Sequence, residues 1–422
     1  MKKKLLLVLC ACMLLSGCGS SISGNAGNGN EVTQQSSGEI KQLGASSGKE
    51  IIPVELADEW QKASYFVDQV YDKEKKNTLV SPLSLDIALG LAYEGASGTT
   101  REELQKYLGR ADYGDYVKEY MDFAESLETK KSDDGYSFAY ELANSIWVRK
   151  DSKLKKEYQE TVEKKYRAAA ENVDFAGAPE KVAKKINGWC AEKTHDMIKE
   201  MVKPEMFTKG LEAILMNSVY FESPWEEEWG LTEHEFTKLN GEKVKQEMLR
   251  DTVEAYYEND FATGFAKDYY NGFKFIGILP KQEGDFALSD LDLKSLMESK
   301  TVEYEVHAIA PKLDYDTTAD NIIDILKAQG VTQAFDSYNG QFDNLVEDQE
   351  LFISDILQKC KIEMDEKGTR AAAVTAIFME KCAAYVEPEV KEVKEVYLDR
   401  AFAFLIYDSW NDKVVFAGKV VE

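Results

Sequence analysis

The sequence predicts an α+β fold in a single large domain, and three observations carry that expectation. Apolar residues fall at helical spacing mainly in the first half of the chain and at strand spacing mainly in the second half. The two kinds of segment do not alternate as repeated βαβ units, which argues against a doubly wound sheet. From Ile51 to Glu422 there is no composition break, no Pro- or Gly-rich linker and no internal repeat, so one core is the simplest reading.

The chain has 422 residues, of which 44% are hydrophobic, enough to bury a substantial core. Its formal net charge of −25 argues against nucleic acid, because phosphate binding needs clustered Lys and Arg. The acidity reads either as solubility or as attraction for cationic partners.

Residues 1–18 read as an address. Lys2, Lys3 and Lys4 precede the apolar run Leu5 to Leu15, too short to span a bilayer as a mature helix. The run ends in Leu15-Ser16-Gly17-Cys18, which resembles the lipobox of bacterial lipoproteins and implies acylation of Cys18 as a membrane anchor. The alternative is an ordinary secretory signal with an incidental cysteine. Residues 19–50 are rich in Ser, Gly, Asn and Gln with hardly any large apolar side chains, the composition of a flexible tether. The folded domain is expected over residues 51–422.

Within it, helical spacing covers Trp60–Tyr71, Leu83–Tyr93 and Val182–Met201, and Thr99-Thr100-Arg101-Glu102-Glu103 reads as a capped helix start. Strand patterns interrupt at Leu142–Val148 and Ala213–Phe221, then dominate at Phe273–Leu279, Val302–Ile309, Ala401–Tyr407 and Val414–Ala417. Asn240-Gly241 between two such runs is a hairpin signal.

Enzyme chemistry finds little purchase. His195, His234 and His307 are the only histidines, and none has metal-ligand spacing with another. No nucleophile elbow, phosphate loop or dinucleotide fingerprint occurs. The Ser46-to-Lys49 spacing matches S-x-x-K but lies in the tether. Neither a metal nor a cofactor is expected. Of six cysteines, Cys10 and Cys12 fall in the signal, and Cys18 is the lipid site. The remainder, Cys190, Cys360 and Cys382, is odd and widely spaced, so it is no disulfide framework. Cys190 and Cys360 sit in apolar patterns as small buried hydrophobes.

One segment near the C-terminus stands apart. After the alternating Ile362 and Met364 comes Gly368, then a run of small residues with no turn former until Pro388. Written with period two, one face carries Thr369, Ala371, Ala373, Thr375, Ile377 and Met379, without charge. The other carries Arg370, Ala372, Val374, Ala376, Phe378 and Glu380. A strand that must slide one face into a packed interior has this pattern. The Ala content also suits a helix, an alternative weakened by the β-branched Thr369, Val374, Thr375 and Ile377.

Here a family resemblance appears. Glu366-Lys367-Gly368-Thr369 followed by Ala371-Ala372-Ala373 resembles the hinge of serpins. Other blocks follow in serpin order. Asn77-Thr78-Leu79-Val80-Ser81-Pro82-Leu83-Ser84 resembles the family's early signature, with Ser81 and Ser84 at the shutter. Leu215-Met216-Asn217-Ser218-Val219-Tyr220-Phe221 leading to Trp225 resembles the strand and breach tryptophan. Phe352-Ile353-Ser354-Asp355 and Asp399-Arg400-Ala401-Phe402-Ala403-Phe404-Leu405 match later blocks. The similarity spans essentially the whole mature domain.

The resemblance implies a large central β-sheet with additional sheets, about eight or nine helices, and an exposed reactive loop over residues 367–397. It implies suicide inhibition of a serine protease: the protease attacks the loop and forms an acyl-enzyme, and the loop then inserts into the sheet before water releases it. The expected partner is a serine protease in a covalent 1:1 complex with a monomeric inhibitor, which itself is no enzyme. With the anchor, the protein is expected to be extracellular, a lipoprotein on the cell surface. A non-inhibitory binding or structural protein with the same fold is the alternative.

Three departures from the family pattern are visible. Arg370 stands where many inhibitory relatives have Glu, Gln358 aligns with a frequent shutter histidine, and Val374 replaces a small residue. Counting forward from Gly368 puts the attacked bond at Cys382–Ala383, which suits an elastase-like pocket. Cleavage after Lys381 would mean a trypsin-like target, after Tyr385 a chymotrypsin-like one, and Ala384 is a further small candidate. Counting back from Asp399 lands near Glu387, so the loop is expected to be long on its C-terminal side. Cys382 also admits redox control of the loop.

Overall fold

Helices claim the first half of the chain because apolar residues there recur three and four apart, and strands claim the second because they alternate. The computed structural model describes residues 58–71, 77–127, 138–347, 351–369 and 391–422. Six of the eight α-helices among the described residues precede Thr194: Glu59–Val70, Pro82–Gly95, Gly98–Leu108, Tyr113–Leu127, Lys156–Tyr166 and Pro179–Lys193. Only the short Leu293–Glu298 and Ile322–Ala328 follow.

The strands among the described residues form three sheets. The central sheet orders Leu313–Ala319, Ile353–Met364, Gly368–Thr369, Ala213–Pro224, Ala139–Arg149 and Ala169–Val173. A second sheet orders Thr78–Val80, Lys413–Val420, Phe402–Asp408, Phe273–Pro280, Ala262–Asp268 and Ala255–Glu258. A third, of four strands, orders Glu392–Tyr397, Tyr304–Pro311, Lys243–Val253 and Gly230–Thr237.

The central sheet is covered on both faces, which is why Ala213–Phe221 reads as one apolar run. Ala213, Leu215, Val219 and Phe221 join the main core with the helix Pro82–Gly95, whereas Ile214 and Met216 join a second core with Val182, Ile186 and Cys190 of Pro179–Lys193. That helix Pro82–Gly95 is buried along nearly its whole length, as its predominantly apolar sequence requires.

The expected elements are present with three adjustments. The segment read as helical to Met201 stops at Lys193, because His195 and Asp196 adopt left-handed backbone (φ 48° and 62°). The apolar spacing beyond it buries Ile198, Met201 and Val202 in a non-helical strap. Asn187 ties the strap down, its Oδ1 accepting from the amides of Met201 and Val202 at 2.8 and 3.0 Å. The helix start near Thr99 lies at Gly98, and its cap comes from far away: Gln341 Oε1 accepts from the Thr99 amide at 2.9 Å. Glu103 does not close a capping box; it accepts from the amides of Thr332 and Gln333 at 2.6 and 2.8 Å. The strand expected from Val302 starts at Tyr304. The Asn240-Gly241 turn joins two paired strands, with Gly241 at φ 84°.

Candidate functional site

The site is the seam between the strands Ile353–Met364 and Ala213–Pro224. Over its lower part the two pair directly and in parallel, from Ile353↔Ala213 to Cys360↔Val219. Above Cys360 they part, and Gly368–Thr369 stands between them, antiparallel to both: Gly368 opposite Pro224, Thr369 opposite Ser223 and Met364.

The lower part is closed by a buried polar cluster. Ser81 caps the helix Pro82–Gly95, its hydroxyl accepting from the Ser84 amide at 3.4 Å. Gln358, on one strand, accepts from the Ser81 amide at 3.0 Å. Its Nε2 donates to the Ser81 carbonyl at 2.9 Å and to Asn217 Oδ1, on the other strand, at 2.6 Å. The two N–H groups of Asn217 Nδ2 in turn serve Asn144 Oδ1 at 2.7 Å and Ser84, whose carbonyl (3.0 Å) and hydroxyl share one of them. Ser81, Ser84, Asn144, Asn217 and Gln358 are all at most 3% exposed, so each bond replaces water that cannot reach them. Gln358 uses both ends of its amide, a donor and acceptor pattern no protonated imidazole could supply.

The upper end is aromatic. Trp225 stacks on Tyr269 (centroids 4.1 Å apart, planes at 12°) and meets Trp229 edge-on at 6.0 Å. The Asn271-Gly272 turn, with both residues at positive φ, returns the chain so that Tyr269 lies over the seam. The hinge is bonded to this cluster. Trp225 Nε1 donates to the Asp365 carbonyl at 2.9 Å, and the amides of Trp225 and Trp229 donate to the carbonyls of Lys367 and Glu366 at 3.0 and 2.9 Å. Asp365 shapes the turn, its Oδ1 accepting from the amides of Lys367 and Gly368 at 2.8 and 3.2 Å. Thr369 is 2% exposed, and its hydroxyl meets that of Tyr269 at 2.5 Å. Burial pushes the Tyr269 phenol well above its ordinary pKa, so it stays a neutral partner. At Gly368 a Cβ would strike the Ser223 carbonyl and lie 2.8 Å from Pro224 Cα, so only glycine fits between the strands. Glu366 pairs with Lys312 at 2.9 Å, and this bond holds its carboxyl below the usual range.

Of the residues singled out in the sequence, the structure thus brings Ser81, Ser84, Asn217 and Gln358 into one cluster, and Trp225, Glu366, Gly368 and Thr369 into the other. Ala371, Ala372, Ala373, Lys381, Cys382, Ala383, Ala384, Tyr385 and Cys18 lie outside the described residues, as does most of the expected loop. Cys190 and Cys360 are buried thiols; burial pushes Cys190 up to about 11 and Cys360 higher still, which leaves both unreactive at neutral pH. Among the described residues, no group of three or more His, Cys, Asp or Glu gathers as a metal site. Sequence reasoning missed Asn144, Tyr269, Asp365 and Lys312. Asn144 announced itself as a lone amide inside the apolar run Leu142–Val148. Tyr269 precedes an Asn-Gly turn of the kind recognised at Asn240.

The geometry has known counterparts. Residues 63–422 match the family model described as serpin (serine protease inhibitor). A serpin-like protein of Thermococcus kodakarensis is 29% identical over 357 residues, covering 82% of this chain and 80% of that protein. Serpin B6 of Pongo abelii is 29% identical over 361 residues, covering 82% and 93%. Among solved structures, the thermophilic serpin Tengpin in its native state superposes with a TM-score of 0.73 at 27% identity, covering 86% of this chain and 92% of that one.

Proposed function

The chain belongs to the serpin family, and from that premise we propose that it inhibits a serine protease as a suicide substrate, trapping it when the cleaved loop enters the central sheet. The family's members are in general protease inhibitors rather than catalysts, and they form covalent complexes with serine proteases. The observation that carries the reading for this chain is the seam, parted at one end with Gly368–Thr369 started between its strands.

The pairing register supports it. Each step along the loop is a step back along Ala213–Pro224, so Ala371 would follow opposite Phe221, Ala373 opposite Val219 and Thr375 opposite Asn217. All three strand residues are buried, Phe221 and Val219 in the main core and Asn217 in the polar cluster beside it, on the face for which the loop's uncharged side chains are suited. About a dozen new ladder hydrogen bonds at ~1 kcal/mol each, with apolar burial, rival the ~5–15 kcal/mol that stabilises a typical domain. That is enough to distort a bound protease.

The attacked bond in this reading is Cys382–Ala383, and small residues there favour an elastase-like target. Acylated Cys18 holds the protein to the outer face of a membrane, with residues 19–50 as a tether that plays no part in inhibition. The domain acts as a monomer in a 1:1 complex.

The test mixes the domain lacking residues 1–18 with elastase, trypsin or chymotrypsin and resolves each mixture on a denaturing gel. The expected result is a band at the summed mass with elastase and a released C-terminal peptide beginning at Ala383. Cleavage by all three without a surviving complex would remove the inhibitory reading and leave a binding protein of serpin fold. Equal inhibition rates with and without reductant would exclude redox control through Cys382.

A further inference from the structure

Arg370, where many relatives carry Glu, has a destination that follows from the same register. Gly368↔Pro224 and Thr369↔Ser223 make Glu222 the next partner on one side. Met364↔Thr369 makes Glu363 the next partner on the other. Thr369 points into the core together with its opposites Ser223 and Met364, all buried, so the following position faces the other side of the sheet. There both Glu222 and Glu363 are half-buried, which matches the alternation at this end of each strand.

The charges around this end of the seam are mostly negative. Glu141 stands opposite Tyr220 on the neighbouring strand and bonds to His195 at 2.7 Å. Tyr220 donates its hydroxyl to Glu222. Lys361 pairs with Glu363 and reaches Asp314 at 3.7 Å. A carboxylate inserted here would meet one on each flank, whereas a guanidinium meets two acceptors with a fork of donors suited to them. The next outward position belongs to Ala372, small enough to leave Lys361 where it is beside Glu363.

We propose that Glu222 and Glu363 form a docking site for the Arg370 guanidinium of the inserting loop, a charge clamp that favours entry of the strand at its first outward position. This rests on the insertion reading above and names the contact by which this chain offsets its departure from the family's hinge. Directly opposed cross-strand side chains sit about 4.5–5.5 Å apart at Cβ, within reach of an Arg on either side. Opposite charges at such positions stabilise a sheet and like charges destabilise it.

The experiment compares thermal unfolding before and after cleavage of the loop for wild type, Arg370→Glu, and Arg370→Glu combined with Glu222→Lys. Wild type should gain stability on cleavage, as the inserted strand forms. Arg370→Glu should give a cleaved form whose melting point is lower than that of cleaved wild type by about 1–3 °C. The double variant, which restores an opposite pair, should recover most of that loss. In rapid mixing with the trapped protease, Arg370→Glu should also raise the inhibitor consumed per protease severalfold, with the effect shrinking in high salt. Equal melting points for cleaved wild type and cleaved Arg370→Glu would overturn the clamp while leaving insertion intact. A loss that persists in the double variant would overturn it too. No gain in wild type on cleavage would overturn insertion and the clamp together.

Discussion

The two ends of one seam are held by different physics. At the lower end, Gln358 and Asn217 lock the strands Ile353–Met364 and Ala213–Pro224 to each other and to the N-terminus of Pro82–Gly95 through bonds that water cannot replace. At the upper end, the strands are kept apart by Gly368–Thr369 and covered by stacked aromatic rings. Buried hydrogen bonds are directional and fail together once their geometry is lost, whereas stacked rings tolerate sliding. In the insertion proposed above, a strand entering this sheet would start at the upper end, where the two strands are already parted, and would reach the amide cluster last.

Four substitutions test that contrast. The largest effect is expected from Thr369→Arg. Its charge would have to enter the buried space beside Tyr269, at a cost of several kcal/mol. The variant should be cleaved in its loop without trapping a protease, read as loss of the denaturation-stable band. Undiminished trapping would mean that the hinge does not lead the insertion.

Next comes Gln358→Leu. It leaves the Ser81 amide, the Ser81 carbonyl and Asn217 Oδ1 buried without their present partner, which should lower native stability by about 2–4 kcal/mol. Urea unfolding should show an earlier midpoint at unchanged slope. A shift worth under ~1 kcal/mol would show that the lower end is not locked by this amide.

Tyr269→Phe keeps the stacking on Trp225 and removes only the hydroxyl that meets Thr369. The expected loss is about 1 kcal/mol. Amide exchange should accelerate at Gly368 and Thr369 more than at Cys360, which sits beyond the parting of the strands. Uniform acceleration along the seam would erase the contrast between its ends.

The smallest effect is expected from Lys312→Met. Lys312 holds Glu366 below its usual pKa of 4.5, so in the folded state the ionised form is favoured. A depressed folded pKa contributes stability above the unfolded value and loses it as pH falls through the folded one. The difference between wild type and variant should therefore be present at neutral pH and vanish in acid, below pH 4.5. Because the pair is partly exposed, it should stay under ~1 kcal/mol. A difference that grows in acid would contradict the pairing.

Some of this was already written in the linear chain. The order of helices and strands, the inward-facing position of Thr369, and the buried character of Cys190 and Cys360 all follow from side-chain periodicity, which depends only on near neighbours. Gly368 was legible as a special position, since a glycine ahead of a strand pattern needs a reason. What the chain could not disclose were contacts between residues far apart in sequence. Gln341 caps a helix that begins at Gly98, and Asn187 fixes a strap that periodicity alone reads as helix. The partners of Gln358 are Ser81 and Asn217, and those of Glu366 and Thr369 are Lys312 and Tyr269. Which faces must be buried was fixed by the order of side chains alone, because burying apolar area is favourable wherever the chain runs. Which strand stands beside which, and therefore where the seam parts, emerges only in the folded molecule. Hydrogen bonds and charges act over a few ångströms, so their partners exist only once the fold has brought them together.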